Sequence, residues 1–292
     1  MESIWTKNAT PPTFPPLKGD AQTEVLIIGG GIAGILCAYR LHRAGVPYML
    51  VEANEICSGT TENTTAKITY QHGLLYDRIM RRYGIEAARL YFDAQCDAMR
   101  ELRDLCQSVD CDFSEREAFV YSLRSREKLE REAEVLSHLG ADAVLCKKTE
   151  LPFPVAGALR VPKQGCFHPL KLLFAIAKDL RMYEHTRVLS WEGSRVTTEH
   201  GSICAKRIVV ATHFPIFNKH GSYFLKMYQH RSYVLALENV DCPSGMYVDE
   251  DEQGLSFREH KGLLLLGGGS HRTGKSGGGW KELSRFASSQ SP

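Results

Sequence analysis

Three glycines, Gly29, Gly31 and Gly34, stand at G-x-G-x-x-G spacing, and an acid, Glu52, follows about twenty residues on. Backbone without side chains lets a phosphate approach, and a helix that starts here offers unpaired N–H groups, those of Ile32 and Ala33 among them. Gly29 makes the turn, Gly31 admits the phosphate and Gly34 lets the helix pack close. Glu52, followed by Ala53, accepts hydrogen bonds from both hydroxyls of a ribose and repels a 2′-phosphate, which disfavours NADP. That set holds a dinucleotide, and it leaves FAD and NAD both open. Elsewhere, Arg231, Tyr233, Arg258, His271 and Arg272 are candidates for a substrate carboxylate, which arginine binds with two parallel hydrogen bonds. His72 is a candidate for catalysis, and His213, after a strand end, for a functional role. Each of these also has an ordinary structural reading.

The elements needed to position the glycines are present in order. Val25 to Ile28 read as a buried parallel strand. Ile35, Ala38, Tyr39 and His42 then recur at helical spacing, closed by Gly45 and Pro47, and Tyr48 to Val51 read as a second strand. Residues 1–23, with Pro11, Pro12, Pro15 and Pro16, form an extended arm that Trp5 and Phe14 pin down. The threonine-rich stretch 54–73 is a loop. Residues 75–107 carry a helical stripe of Ile79, Tyr83, Ala87, Tyr91, Ala94, Ala98, Leu102 and Leu105, broken at Gly84. A strand is expected over 111–123, a charged helix over 125–140 stopped by Gly140, short strands within 144–165 and a helix over 170–181 opened by Pro169. A meander over 185–212 ends in a buried strand, 208–211, that rejoins the nucleotide-binding sheet.

Composition sets outer limits. The chain has 292 residues, 43% of them hydrophobic, and a net charge of +2, which gives no bulk attraction to nucleic acid. The apolar runs are too short for a transmembrane helix, and the N-terminus lacks the pattern of a signal peptide. Nine scattered cysteines read as reduced thiols in a cytoplasmic protein, with no metal-ligand spacing. The glycine-rich run 263–279 is not read as a phosphate loop, because no helical pattern follows Gly274-Lys275-Ser276 directly.

GGGIAG at 29–34, VEA at 51–53 and SGTTENTTAKIT at 58–69 resemble the FAD-dependent D-amino-acid-oxidase-like superfamily, which includes glycine and sarcosine oxidases. Within it the chain is similar to a bacterial branch often fused to a C-terminal Rieske domain. QGCFHPLKLL (164–173), RIVVATHFPIFNKHGSYF (207–224) and RSYVLAL (231–237) carry the likeness along the chain. The resemblance implies an α/β fold: a Rossmann-like FAD-binding domain of the glutathione-reductase type plus a mostly antiparallel α+β substrate domain. The boundaries expected are 24–110 with 164–217 for the first, and 111–163 with 218–290 for the second. By the same likeness Ser58, Gly59, Thr60, Thr61, Thr65, Ala66 and Lys67 line the flavin. Val188 lies near the adenine, and Ala211 and Thr212 lie near the pyrophosphate. Lys67 would place a cation by the ring, with His72, Arg231 and Tyr233 as further catalytic candidates.

The implied reaction is oxidation of the C–N bond of an amine or amino acid by hydride transfer to flavin N5, with electrons passing to oxygen or to a protein or quinone acceptor. Against the family pattern, the chain runs into a polar, serine-rich end after a helix start at 281–286, without a further apolar strand or Rieske ligands. A shortened, flavin-free family remnant is therefore one alternative expectation, and an NAD-dependent dehydrogenase is another.

Overall fold

The protein is described by a computed structural model, which covers residues 2–217 and 221–290. Asn218, Lys219 and His220, inside the family-like stretch 207–224, lie outside the described residues, as do Ser291 and Pro292 of the serine-rich end. The chain forms two compact units, 1–64 with 168–228 and 65–167 with 229–292.

In the first unit Ala21–Ile28 is central to a six-stranded sheet. On one side it pairs in parallel with Tyr48–Val51, which pairs in turn with Met182–Tyr183. On the other side it pairs in parallel with Gly201–Val210, so that Ile28 faces both Val51 and Val210 across the ladders. Arg195–Thr198 and Val188–Glu192 complete the sheet as an antiparallel meander. Leu26, Ile27, Met49 and Leu50 are fully buried, as expected for central strands covered on both faces. The helix Ile32–Arg43 buries Gly34, Ile35 and Ala38. The helix Pro169–Ala177 has proline at its first turn, and His168 Nδ1 accepts from the Lys171 N–H at 3.2 Å. This helix is shorter than the expected 170–181, because a turn from Ala177 to Leu180 delivers Met182–Tyr183 to the sheet. Trp5 pins the arm as expected, whereas Leu17 rather than Phe14 is its second buried anchor.

The second unit is an eight-stranded, mostly antiparallel sheet. Its main path runs His230–Leu237, Leu263–Arg272, Ser256–His260, Met246–Asp249, Ser114–Ser122, Gly157–Cys166 and Lys67–Ile68, with Val144–Cys146 also paired to Gly157–Cys166. Only Met246–Asp249 and Ser114–Ser122 run parallel among the described pairs. Four helices belong to this unit: Tyr76–Tyr83, Ile85–Gln107, Arg126–His138 and Trp280–Gln290.

Three sequence expectations shift here. Residues 65–110, expected with the nucleotide-binding domain, pack in the second unit. Lys67–Ile68 joins its sheet, and Glu132 of Arg126–His138 accepts the N–H groups of Leu75, Tyr76 and Asp77 at 2.7–2.9 Å. Gly84, with φ 87°, does split the helical stretch, but Tyr83 is 64% exposed and the buried stripe runs through Ala88, Phe92 and Cys106. The C-terminal helix continues to Gln290, held by buried Leu283 and by Phe286 against Phe153 and Phe257.

Candidate functional site

The turn after Ala21–Ile28 is built for glycine. Gly29 has φ 114°, and its N–H donates to the Val51 carbonyl at 2.9 Å. A Cβ on Gly29 would stand 2.6 Å from the Ala211 carbonyl oxygen, and one on Gly34 only 1.9 Å from the Gly29 carbonyl oxygen. A Cβ on Gly31 would come within 3.3 Å of Thr61 Oγ1 and narrow the mouth. Strand, turn and helix are thereby fixed by local backbone demands.

Around this turn the first unit forms a cleft of about 840 Å³, within the usual range for a cofactor site. Gly29, Gly31, Ile32, Ala33, Glu52, Ala53, Ser58, Gly59, Thr60, Thr61, Val188, Ala211 and Thr212, all expected at the cofactor, line it, as does His213. Gly34 serves beneath it in packing. Thr65, Ala66 and Lys67 belong to the second unit and do not line this cleft.

Glu52 turns toward the glycines. Its Oε2 accepts the Gly30 N–H at 2.7 Å and its Oε1 the Asn54 N–H at 2.9 Å. A carboxylate has about four lone-pair positions, so two remain for ribose hydroxyls. Thr61, 6% exposed, accepts the Ile32 N–H at 3.0 Å and so caps the helix start from the loop side. The neighbouring Ala33, in the first turn at the positive end of the helix dipole, also lines the cleft. Bare glycine backbone, a helix N-terminus and a carboxylate with spare acceptor capacity fit an adenine dinucleotide diphosphate.

Sequence reasoning missed several parts of this site. Cys57 lines the cleft at φ 62°; burial, reinforced by the carboxylates of Glu52, Glu62 and Glu184, pushes its thiol up to about 12, which makes it unreactive. Arg187 and Thr186 line the cleft as well, and Glu184 lies just behind it with 4% exposure. Nothing in their local pattern distinguishes them, because their partners are far away in sequence.

The second unit carries the remaining candidates. Lys67 is partly buried and donates from Nζ to the Tyr247 carbonyl at 3.0 Å. Desolvation, aided by the Arg258 guanidinium, pushes its ammonium down to about 7. Arg258, 1% exposed, donates to the carbonyls of Thr65, Ala66 and Phe167, so it is a structural clamp rather than a surface cation awaiting a substrate carboxylate. Tyr233 stacks on His271 at 6.0 Å and meets Trp280 edge-on at 4.8 Å. His72 and Arg231 are exposed. Gly269 to Ser276 has the letters of G-x-x-x-x-G-K-S. Its strand, however, continues to Arg272 in antiparallel register with His230, and the next helix begins only at Trp280. The segment is therefore the end of a strand and the turn after it, not a phosphate loop wrapped onto a helix.

Comparison with known proteins agrees with this geometry. Residues 24–289 match the family model DAO, FAD dependent oxidoreductase. The putative Rieske 2Fe-2S iron-sulfur protein YhfW of Bacillus subtilis is 35% identical over 94% of this chain and 57% of its own length. The gamma-glutamylputrescine oxidoreductase of Escherichia coli is 25% identical over 68% of this chain and 50% of its own. The chain thus spans about half the length of these curated relatives. Among solved structures, L-proline dehydrogenase from P. horikoshii superposes with a TM-score of 0.68 at 17% identity, over 94% of this chain and 76% of that one. Glycine oxidase from Geobacillus kaustophilus gives 0.62 at 17%, over 89% and 73%. At such identities the structures speak for the fold, while the family match speaks for the cofactor. The chain belongs to the DAO family of FAD-dependent oxidoreductases.

Proposed function

We propose that the protein oxidises the C–N bond of an amine or amino acid. The observation that carries this reading is the cleft of the first unit, where the glycine turn, the helix N-terminus and Glu52 converge as the family's cofactor requires. A gamma-glutamylputrescine oxidoreductase among the sequence relatives supports the substrate class, and a glycine oxidase and an L-proline dehydrogenase share the fold. An NAD-dependent dehydrogenase has no support from the family match.

In this reading the N–H groups at Gly31 and Ala33 hold the pyrophosphate, with Thr61 bracing the Ile32 N–H beside them, Glu52 holds the ribose and Val188 flanks the adenine. Ser58 to Thr61 and Thr212 close the cleft around them. FAD, when bound, supplies the acceptor for the hydride equivalent from the carbon next to nitrogen. Lys67 contributes an amine whose proton is only loosely held near neutrality; an anion beside it would draw that proton back and be stabilised in return. Arg231 and Tyr233, on one strand, are the groups proposed to meet a substrate carboxylate.

The test is a visible spectrum of the purified protein, followed by anaerobic addition of substrates. A yellow protein, or one that turns yellow on FAD titration, is expected, with bleaching by amines or amino acids. A colourless protein that takes up no FAD would count against the reading. Bleaching by glycerol phosphate and not by any amine would overturn the substrate class, since an L-alpha-glycerophosphate oxidase shares the fold with a TM-score of 0.56.

A further inference from the structure

The cleft is lined by the loop that leaves Tyr48–Val51, and that loop is tied to the N-terminal arm by Glu184, which is not among the cleft's lining residues, and by Thr64 and Thr186, which are. Beyond Val51 the backbone stays in a ladder. The Glu52 N–H donates to the Tyr183 carbonyl at 2.8 Å, the Thr186 N–H to the Glu52 carbonyl at 2.8 Å and the His185 N–H to the Asn54 carbonyl at 3.1 Å. From the middle of that ladder Glu184 reaches two ways. Its Oε1 accepts the Ile56 N–H of the loop at 2.7 Å, and its Oε2 accepts the Phe14 N–H of the arm at 3.0 Å. Thr186, 1% exposed, accepts the Leu17 N–H at 3.0 Å. At the other end of the arm the Trp5 indole donates to the Thr64 carbonyl at 2.8 Å, and Ser3 donates to the Glu62 carbonyl. The loop from 54 to 64 is thus held at both ends by a proline-stiffened strap, although residues 3–17 line no part of the cleft.

We propose that Glu184 is a positioning residue for FAD: its carboxylate couples the arm to the cofactor loop, so the arm sets part of the cleft's affinity. A buried carboxylate with two backbone donors holds both segments at once, and charge-assisted bonds of this kind are about twice as strong as neutral ones. The inference rests on the FAD reading and concerns residues that do not touch the cofactor.

The test uses the full chain stripped of flavin. FAD dissociation constants are measured for wild type, Glu184→Gln and Trp5→Phe, together with amide hydrogen exchange without FAD. Glu184→Gln is expected to weaken FAD about tenfold and to speed exchange at Ile56 and Phe14 together. Trp5→Phe acts on the same strap, so the double variant should lose less than the product of the two single effects. Leu129→Ala, in the core of the second unit, serves as a control of matched stability loss. If it weakens FAD as much as Glu184→Gln does, or if Glu184→Gln leaves the constant unchanged, the coupling is overturned. A wild type that takes up no FAD overturns the functional reading, and the affinity claim with it; unchanged affinity in a flavin-binding protein overturns this inference alone.

Discussion

At the scale of single residues, environment decides what a side chain can do. Lys67 and Arg258 were both cation candidates in the sequence, and burial separated them. Arg258 spends its donors on three carbonyls, whereas Lys67 keeps an amine that loses its proton near neutrality. The shift has a consequence for stability. A lysine whose folded pKa lies near 7 binds fewer protons folded than unfolded between there and its ordinary value, so its penalty is full below 7 and fades as pH rises toward 10. The gap between Lys67→Met and wild type in urea melts should therefore shrink, in the variant's disfavour, from pH 6.5 to pH 9.5. A gap that stays constant over that window would show Lys67 to be charged throughout. Glu52 sits beside the glycine turn, where its two carboxylate oxygens accept the N–H groups of Gly30 and Asn54.

At the scale of elements, helix ends explain how the second unit is assembled. Tyr76–Tyr83 has no side-chain cap of its own, and its first N–H groups are instead satisfied from another helix by Glu132, which is fully buried. Gln71 Nε2 donates to the same carboxylate at 3.3 Å. Burial holds this carboxyl above the usual range even though every donor pulls the other way. Replacing Glu132 by Ala strands several buried donors and should cost about 3–5 kcal/mol in denaturant melts. A loss below about 1 kcal/mol would mean that water replaces the carboxylate. The helix Arg126–His138 itself was readable from its charged residues and Gly140 stop; the dependence of a neighbouring helix on Glu132 was not, since it joins residues more than fifty positions apart.

For the whole molecule, the cleft belongs entirely to the first unit. FAD at a hundred times its dissociation constant should stabilise the protein by about 2.7 kcal/mol and raise its melting temperature, with the largest gain in amide protection over 29–34 and 52–61. NADH should do neither, and equal protection by NADH would reverse the cofactor assignment. The sequence alone determined the strand–turn–helix that begins at Val25, the acid at the end of the next strand and the alternating strand within 111–123. Those features rest on backbone demands and side-chain periodicity contained within a few residues: a positive φ, a Cβ that cannot fit, a two-residue alternation. Only the tertiary structure decided that 65–107 packs in the second unit, that Arg258 is a clamp, and that Glu184 joins the arm to the loop. In each of those the partners are distant in sequence, and the energy of a buried charge depends on which carbonyls and N–H groups the folded chain brings to it.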